Sequence, residues 1–149
     1  AKIELAQMDV LRDFTAAEID TLAQKLTTKT FGKGDAIVKE GDTDRRLFML
    51  VKGLVGVRIR LPQSDRSKRL ITYSSGVTFG ELAFLDGSPR SVDVRAEEDA
   101  ETYVLSPDDF RLLQEENPAI AVKLIRNIAL EISERLRIRT NEVRALEQG

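Results

Sequence analysis

Cysteine and histidine are both absent from this 149-residue chain. Without cysteine no disulfide can form, and the redox compartment leaves no mark on the sequence. Without either residue the usual ligands of zinc, copper and iron are missing, as is the base of histidine-dependent catalysis. No metal ligands are assigned. No nucleophile–base pair emerges elsewhere, so no catalytic residues are assigned and an enzyme is not expected. No apolar run approaches membrane-spanning length, and no signal peptide is visible. A basic excess is also lacking. The formal net charge is −2, which gives the domain no general attraction to nucleic acid. A domain without membrane insertion or direct nucleic-acid contact is expected. The chain opens on Ala1 rather than methionine, as expected of a processed chain or a piece of a longer one.

What is present reads as one domain over 1–149, and a chain this long buries roughly two-thirds of its unfolded surface. Residues 1–27 are helical in pattern. Thr15-Ala16-Ala17-Glu18 forms a capping box, followed by Ile19, Leu22 and Leu26 at helical spacing. Residues 28–106 are strand-like and punctuated by glycine. Short β runs are expected at 36–38, 47–51, 55–61, 70–73, 92–95 and 102–105, with an exposed hairpin tip at Pro62–Lys68. The alternation of Val55, Val57, Ile59 and Leu61 with Arg58 and Arg60 gives that run one inward face. Residues 107–148 are helical again. Ser106-Pro107 and Asn117-Pro118 are start signals, and no glycine or proline interrupts the stretch from there to about Gln148.

The last helix carries Val122, Ile125, Ala129, Ile132, Leu136, Val143 and Leu146 at alternating steps of three and four, broken only by Arg139. This is a heptad-like seam. Its first half is expected to pack on its own domain. Its second half projects past it and is expected to associate with another helix. Arg126, Arg135, Arg137, Arg139 and Arg144 on the same helix are interleaved with Glu131, Glu134 and Glu142, as on a solvated face.

The most specific stretch is Phe79 to Val94. Gly80 lets backbone approach a ligand closely. Glu81 to Leu85 is long enough for one helical turn, whose first N–H groups are unpaired and suit an anion. Arg90 adds a charged fork that fits a phosphate, and Glu81, an acceptor when ionised, suits a sugar hydroxyl. Phosphate and sugar sites would then share one loop. The other reading of these residues is an ordinary turn glycine and an ordinary ion pair.

Phe79-Gly80-Glu81-Leu82-Ala83, a short spacer, then Pro89-Arg90-Ser91 and a strand resembles the phosphate-binding cassette of the cyclic nucleotide-binding domain family. The resemblance runs from about Leu11 to Leu146. It implies an α+β fold: an eight-stranded, jelly-roll-like β-roll with N-terminal helices and a long C-terminal helix. It implies that Glu81 holds the ribose 2′-hydroxyl and Arg90 the cyclic phosphate. Gly80, Leu82 and Ala83 would contribute backbone, and Ser91 would sit beside the phosphate. By position, Leu70 and Tyr73 would back the base, or be plain core. Glu131, Arg135 and Leu136 fall where the family's lid lies, with Arg135 as simple surface the alternative. The implied ligand is a cyclic purine nucleotide. It is cAMP, with cGMP left open, because a threonine after the cassette arginine often marks cGMP preference and Ser91 stands there. No cofactor other than this ligand is implied.

The tail from Glu134 through Glu147 resembles the ends of bacterial proteins in which this domain follows a sulfate-type transporter or a glutaminase. That implies a cytoplasmic, C-terminal regulatory domain acting through its last helix, as a homodimer or against an attached transporter or enzyme domain. Two alternatives remain open. One is a dimerisation module that binds no nucleotide; the other is the sensor half of a transcription regulator lacking its DNA-binding domain.

Overall fold

Local capping signals start the helices where the sequence places them. In the computed structural model, which describes residues 2–63 and 65–148, Thr15 and Glu18 exchange reciprocal bonds at 3.2 and 2.8 Å and open α1 (Ala16–Ala23). Ser106 accepts from the Asp109 N–H at 3.0 Å to open α3 (Pro107–Glu116), and the 31-residue α4 (Pro118–Gln148) follows. The short α2 (Glu81–Asp86) lies within the roll, and two 3₁₀ turns, Leu5–Gln7 and Asp9–Leu11, precede α1. Ala1, Gly149 and Ser64, the last within the expected hairpin tip, lie outside the described residues.

Among the described residues eight strands form: β1 (Thr27–Phe31), β2 (Ala36–Val38), β3 (Leu47–Lys52), β4 (Val55–Arg60), β5 (Ser67–Tyr73), β6 (Thr78–Phe79), β7 (Asp93–Ala96) and β8 (Ala100–Leu105). They pair antiparallel into two four-stranded sheets, in the orders β1-β8-β3-β6 and β2-β7-β4-β5. The expected α+β roll is therefore present. β1 and β6 are the strands that apolar alternation did not reveal. β1 is four-fifths Thr and Lys with exposed side chains, and β6 is only two residues long.

β3 divides the core. Phe48 and Leu50 point into the roll with Val55, Phe79, Val94 and Val104. Leu47, Met49 and Val51 point the other way, toward Met8, Leu11, Leu22, Leu113 and Leu124 of the helical layer. Because both faces are covered, five consecutive residues of this strand are buried.

The first half of α4 packs on that layer through Ile120, Ala121, Leu124 and Ile128. Buried Asn127 fixes its register, donating to the Val10 carbonyl at 2.8 Å and to Asp13 Oδ1 at 2.7 Å. The contact face is thus rotated from the expected seam. Ile125 and Ile132 lie at its margin, while Val122, Leu136 and Val143 are 67, 67 and 58 % exposed.

Candidate functional site

The loop from β6 to β7 is built around two left-handed glycines. Gly80, at φ +81°, precedes α2, and Gly87, at φ +72°, closes it with an N–H to the Ala83 carbonyl at 2.9 Å. A Cβ on Gly80 would stand 2.8 Å from Arg90 Nη1 and 3.0 Å from the Arg46 carbonyl. The position therefore needs glycine twice over, for its dihedral and for the arginine packed against it.

Arg90 is buried. Its backbone is clamped by the loop between β2 and β3: its N–H donates to the Asp42 carbonyl, and its carbonyl accepts from the Gly41 N–H, both at 2.8 Å. Its guanidinium donates from Nη1 to the Gly80 carbonyl at 2.9 Å and from Nη2 to the Arg46 carbonyl at 2.7 Å. Asp44 Oδ2 lies 3.4 Å from Nη2 and is shared with Arg46, which binds the Asp44 carboxylate through Nε and Nη2. Burial lowers the Arg90 pKa and Asp44 opposes it. Burial would raise Asp44, but the Arg46 hydrogen bonds and the Arg90 charge outweigh it and hold its carboxyl below the ordinary value. Arg90 Nε is buried and, among the described residues, finds no hydrogen-bond acceptor. A charged donor left so is costly unless something answers it.

Six residues singled out in the sequence, Gly80, Glu81, Leu82, Ala83, Arg90 and Ser91, line one pocket. Its apolar wall comes from Val38, Val92 and Val94, which local sequence had not marked. Asp44 and Arg46 were missed as well. Their only signal is the charged run from Asp42 to Arg46 between two apolar strands.

The lid positions divide. Arg135 on α4 donates from Nη1 to Glu81 Oε1 at 2.6 Å and from Nη2 to the Thr78 carbonyl at 2.8 Å. Its guanidinium lies 5.2 Å from the Tyr73 ring centre, a cation–π contact. Tyr73 is half-buried, and burial raises its pKa against the Arg135 charge. Tyr73, Arg135 and Glu131 also line a second cavity, between α4 and the N-terminal turns. Leu70 and Leu136, at 40 and 67 % exposure, line neither cavity.

The cassette helix also touches the C-terminal helices. Buried Phe84 of α2 packs edge-on against Phe110 of α3, ring centres 5.2 Å apart. This contact joins α2 to α3, and α3 packs on α4.

Among the described residues no cluster of three or more acidic side chains is placed to hold a metal ion, and no helix is long and apolar enough to cross a membrane.

Residues 28–117 match the family model described as a cyclic nucleotide-binding domain. Glutaminase 1 of Bradyrhizobium diazoefficiens is 33 % identical over 133 residues, which is 89 % of this chain and 21 % of that protein. The cAMP-dependent protein kinase regulatory subunit of Hypocrea atroviridis is 28 % identical over 73 % of this chain and 22 % of its own length. The chain thus spans about a fifth of these relatives. Among solved structures, a cyclic nucleotide-binding domain from Methylobacillus flagellatus superposes with a TM-score of 0.82 at 23 % identity, over 88 % of this chain and 73 % of that one. The catabolite activator protein of Thermus thermophilus gives 0.80 at 24 % identity, over 93 % and 63 %.

Proposed function

The chain belongs to the cyclic nucleotide-binding domain family, and we propose that it binds a cyclic purine nucleotide, cAMP in preference to cGMP, and passes that event to its last helix. The observation that carries this is the Arg90 guanidinium. It is buried, aligned by Gly80 and Arg46, and keeps a donor on Nε for which the described residues supply no acceptor. A cyclic phosphate in the adjoining pocket answers that donor. Glu81, at the other end of the same glycine turn, accepts the ribose 2′-hydroxyl. Ser91 in place of threonine weighs toward cAMP.

The route out of the site has two branches. Phe84 couples the cassette to α3 through Phe110, and Arg135 couples Glu81 directly to α4. A ligand that takes Glu81 competes with Arg135, so its affinity differs between lid positions, as a population shift requires. Arg135 and Leu136 then cover the base.

α4 is also where a partner attaches. Val122, Ala129, Leu136 and Val143 recur every seven residues on a face that the domain leaves exposed, which favours helix pairing between two copies. The glutaminase relative supports a second setting, a regulatory module carried by a cytoplasmic enzyme or a transporter, with no catalysis of its own. Calorimetric titration of cAMP and cGMP into the wild type and into Arg90→Leu tests the reading. Saturable binding lost in the variant supports it, and binding by neither nucleotide overturns it.

A further inference from the structure

Arg135 stands between two carboxylates. Nη1 lies 2.6 Å from Glu81 Oε1, and Nη2 lies 3.9 Å from Glu131 Oε2, one helical turn back on α4. The Glu131 side chain is only 13 % exposed. The charged and titratable groups that face it come from every neighbouring element. Asp9 and Arg12 come from the second 3₁₀ turn and the residues after it. Glu81 belongs to α2 and Tyr73 to β5, and Glu134, Arg135 and Arg137 share α4. In this arrangement the guanidinium bonds Glu81 through Nη1 and the Thr78 carbonyl through Nη2, and stands off Glu131 beyond hydrogen-bonding distance.

We propose that Glu131 is a positioning residue that competes with Glu81 for Arg135, so that its ionisation draws the lid arginine off the ribose-facing carboxylate and its protonation leaves that carboxylate occupied. The proposal rests on the reading of Glu81 as the ribose acceptor. Burial, opposed by Arg135 and reinforced by Asp9 and Glu81, pushes the Glu131 pKa up to about 7, so the competition is set near neutrality. The chain has no histidine or cysteine to titrate there. Nucleotide binding then favours ionised Glu131, and the proton leaves it as Arg135 arrives. The affinity of the site thus rises with pH.

Two measurements on the full chain test this. In the ligand-free protein, the Arg135 Nε–H resonance is followed by NMR from about pH 6 to about pH 8. It should titrate with a midpoint near that of Glu131 in the wild type and stay flat in Glu131→Gln. In the second, cAMP and cGMP are titrated calorimetrically in two buffers of different ionisation enthalpy. The wild type should release a proton on binding and gain about five- to tenfold in affinity over that range. Glu131→Gln should show neither effect and hold the weaker, low-pH affinity throughout. A flat Arg135 resonance in the wild type, proton uptake on binding, or an undiminished pH profile in Glu131→Gln overturns the proposal. If neither nucleotide binds at any pH, the cassette reading has failed, and the NMR titration alone decides whether Glu131 controls Arg135.

Discussion

Arg135 Nη1 lies 2.6 Å from Glu81 Oε1, so the long helix already holds the carboxylate that the ribose would need. Glu81 and Arg135 should therefore be coupled energetically both with and without ligand. In a double-mutant cycle of Glu81→Ala and Arg135→Ala on stability, the interaction energy should be about 1–2 kcal/mol, the range for a mostly shielded charge-assisted bond. With a 2′-deoxy cyclic nucleotide, wild type should lose affinity while Glu81→Ala should lose little more. Equal losses in the two proteins sink the ribose assignment.

Arg90→Leu removes more than a ligand contact. The Gly80 and Arg46 carbonyls lose their donor, and Asp44 loses one of its two cations. Nucleotide affinity should fall by about 2–5 kcal/mol. Stability should fall too, by about 1–3 kcal/mol, because acceptors are stranded in a buried site. Asp44→Asn should lower stability in the same direction while leaving Arg90 charged and able to bind. Calorimetry paired with chemical denaturation separates the two effects, and wild-type affinity in a folded Arg90→Leu protein would falsify the phosphate role.

The cassette was legible because its parts are contiguous. A left-handed glycine, a carboxylate and an arginine stand within eleven residues, and each residue type states its chemistry. The support for that arginine was not legible. Asp44 and Arg46 reach it only because antiparallel pairing folds the β2–β3 loop over the cassette, and nothing local in either stretch announces the meeting. The same limit explains α4. Periodicity identified its apolar positions but not which of them its own domain would cover. Asn127, a polar residue outside the apolar series, sets the rotation by binding Val10 and Asp13. β1 was hidden because its Thr and Lys side chains face solvent. Leu70 was read as base wall or plain core; it stands on the edge strand β5 at 40 % exposure and is not core.

Glu131 makes stability depend on pH in an unusual direction for a carboxylate. Its pKa in the fold, about 7, stands above its ordinary 4.5 because burial disfavours the charge. A raised pKa means that the folded chain holds the proton more tightly than the unfolded chain. The stabilisation is fully present below about 4.5 and is lost as pH rises through about 7. Glu131→Gln keeps the neutral form at every pH. Relative to wild type it should be nearly unchanged at about pH 4 and more stable by about 1–3 kcal/mol at about pH 8. Denaturant midpoints measured side by side at the two pH values check this. A gap that does not widen with pH excludes buried Glu131 as its source.

The exposed face of α4 gives the last expectation. Leu136 and Val143, seven residues apart, are 67 and 58 % exposed, and nothing among the described residues covers them. An apolar stripe repeating at that interval is stable in water when a second helix packs along it. Arg139 lies between them and interrupts the seam, yet it is 3.7 Å from Glu142 on its own helix, which offsets the charge beside the stripe. Replacing both apolar residues with aspartate places like charges where two copies would meet. The domain itself should tolerate the change, since neither side chain packs against its core, and the melting temperature of the monomer should move little. Light scattering should report a dimer for wild type and a monomer for Leu136→Asp/Val143→Asp. A wild type that stays monomeric at high concentration, or a variant that stays dimeric, means that the stripe serves an attached domain or another surface instead.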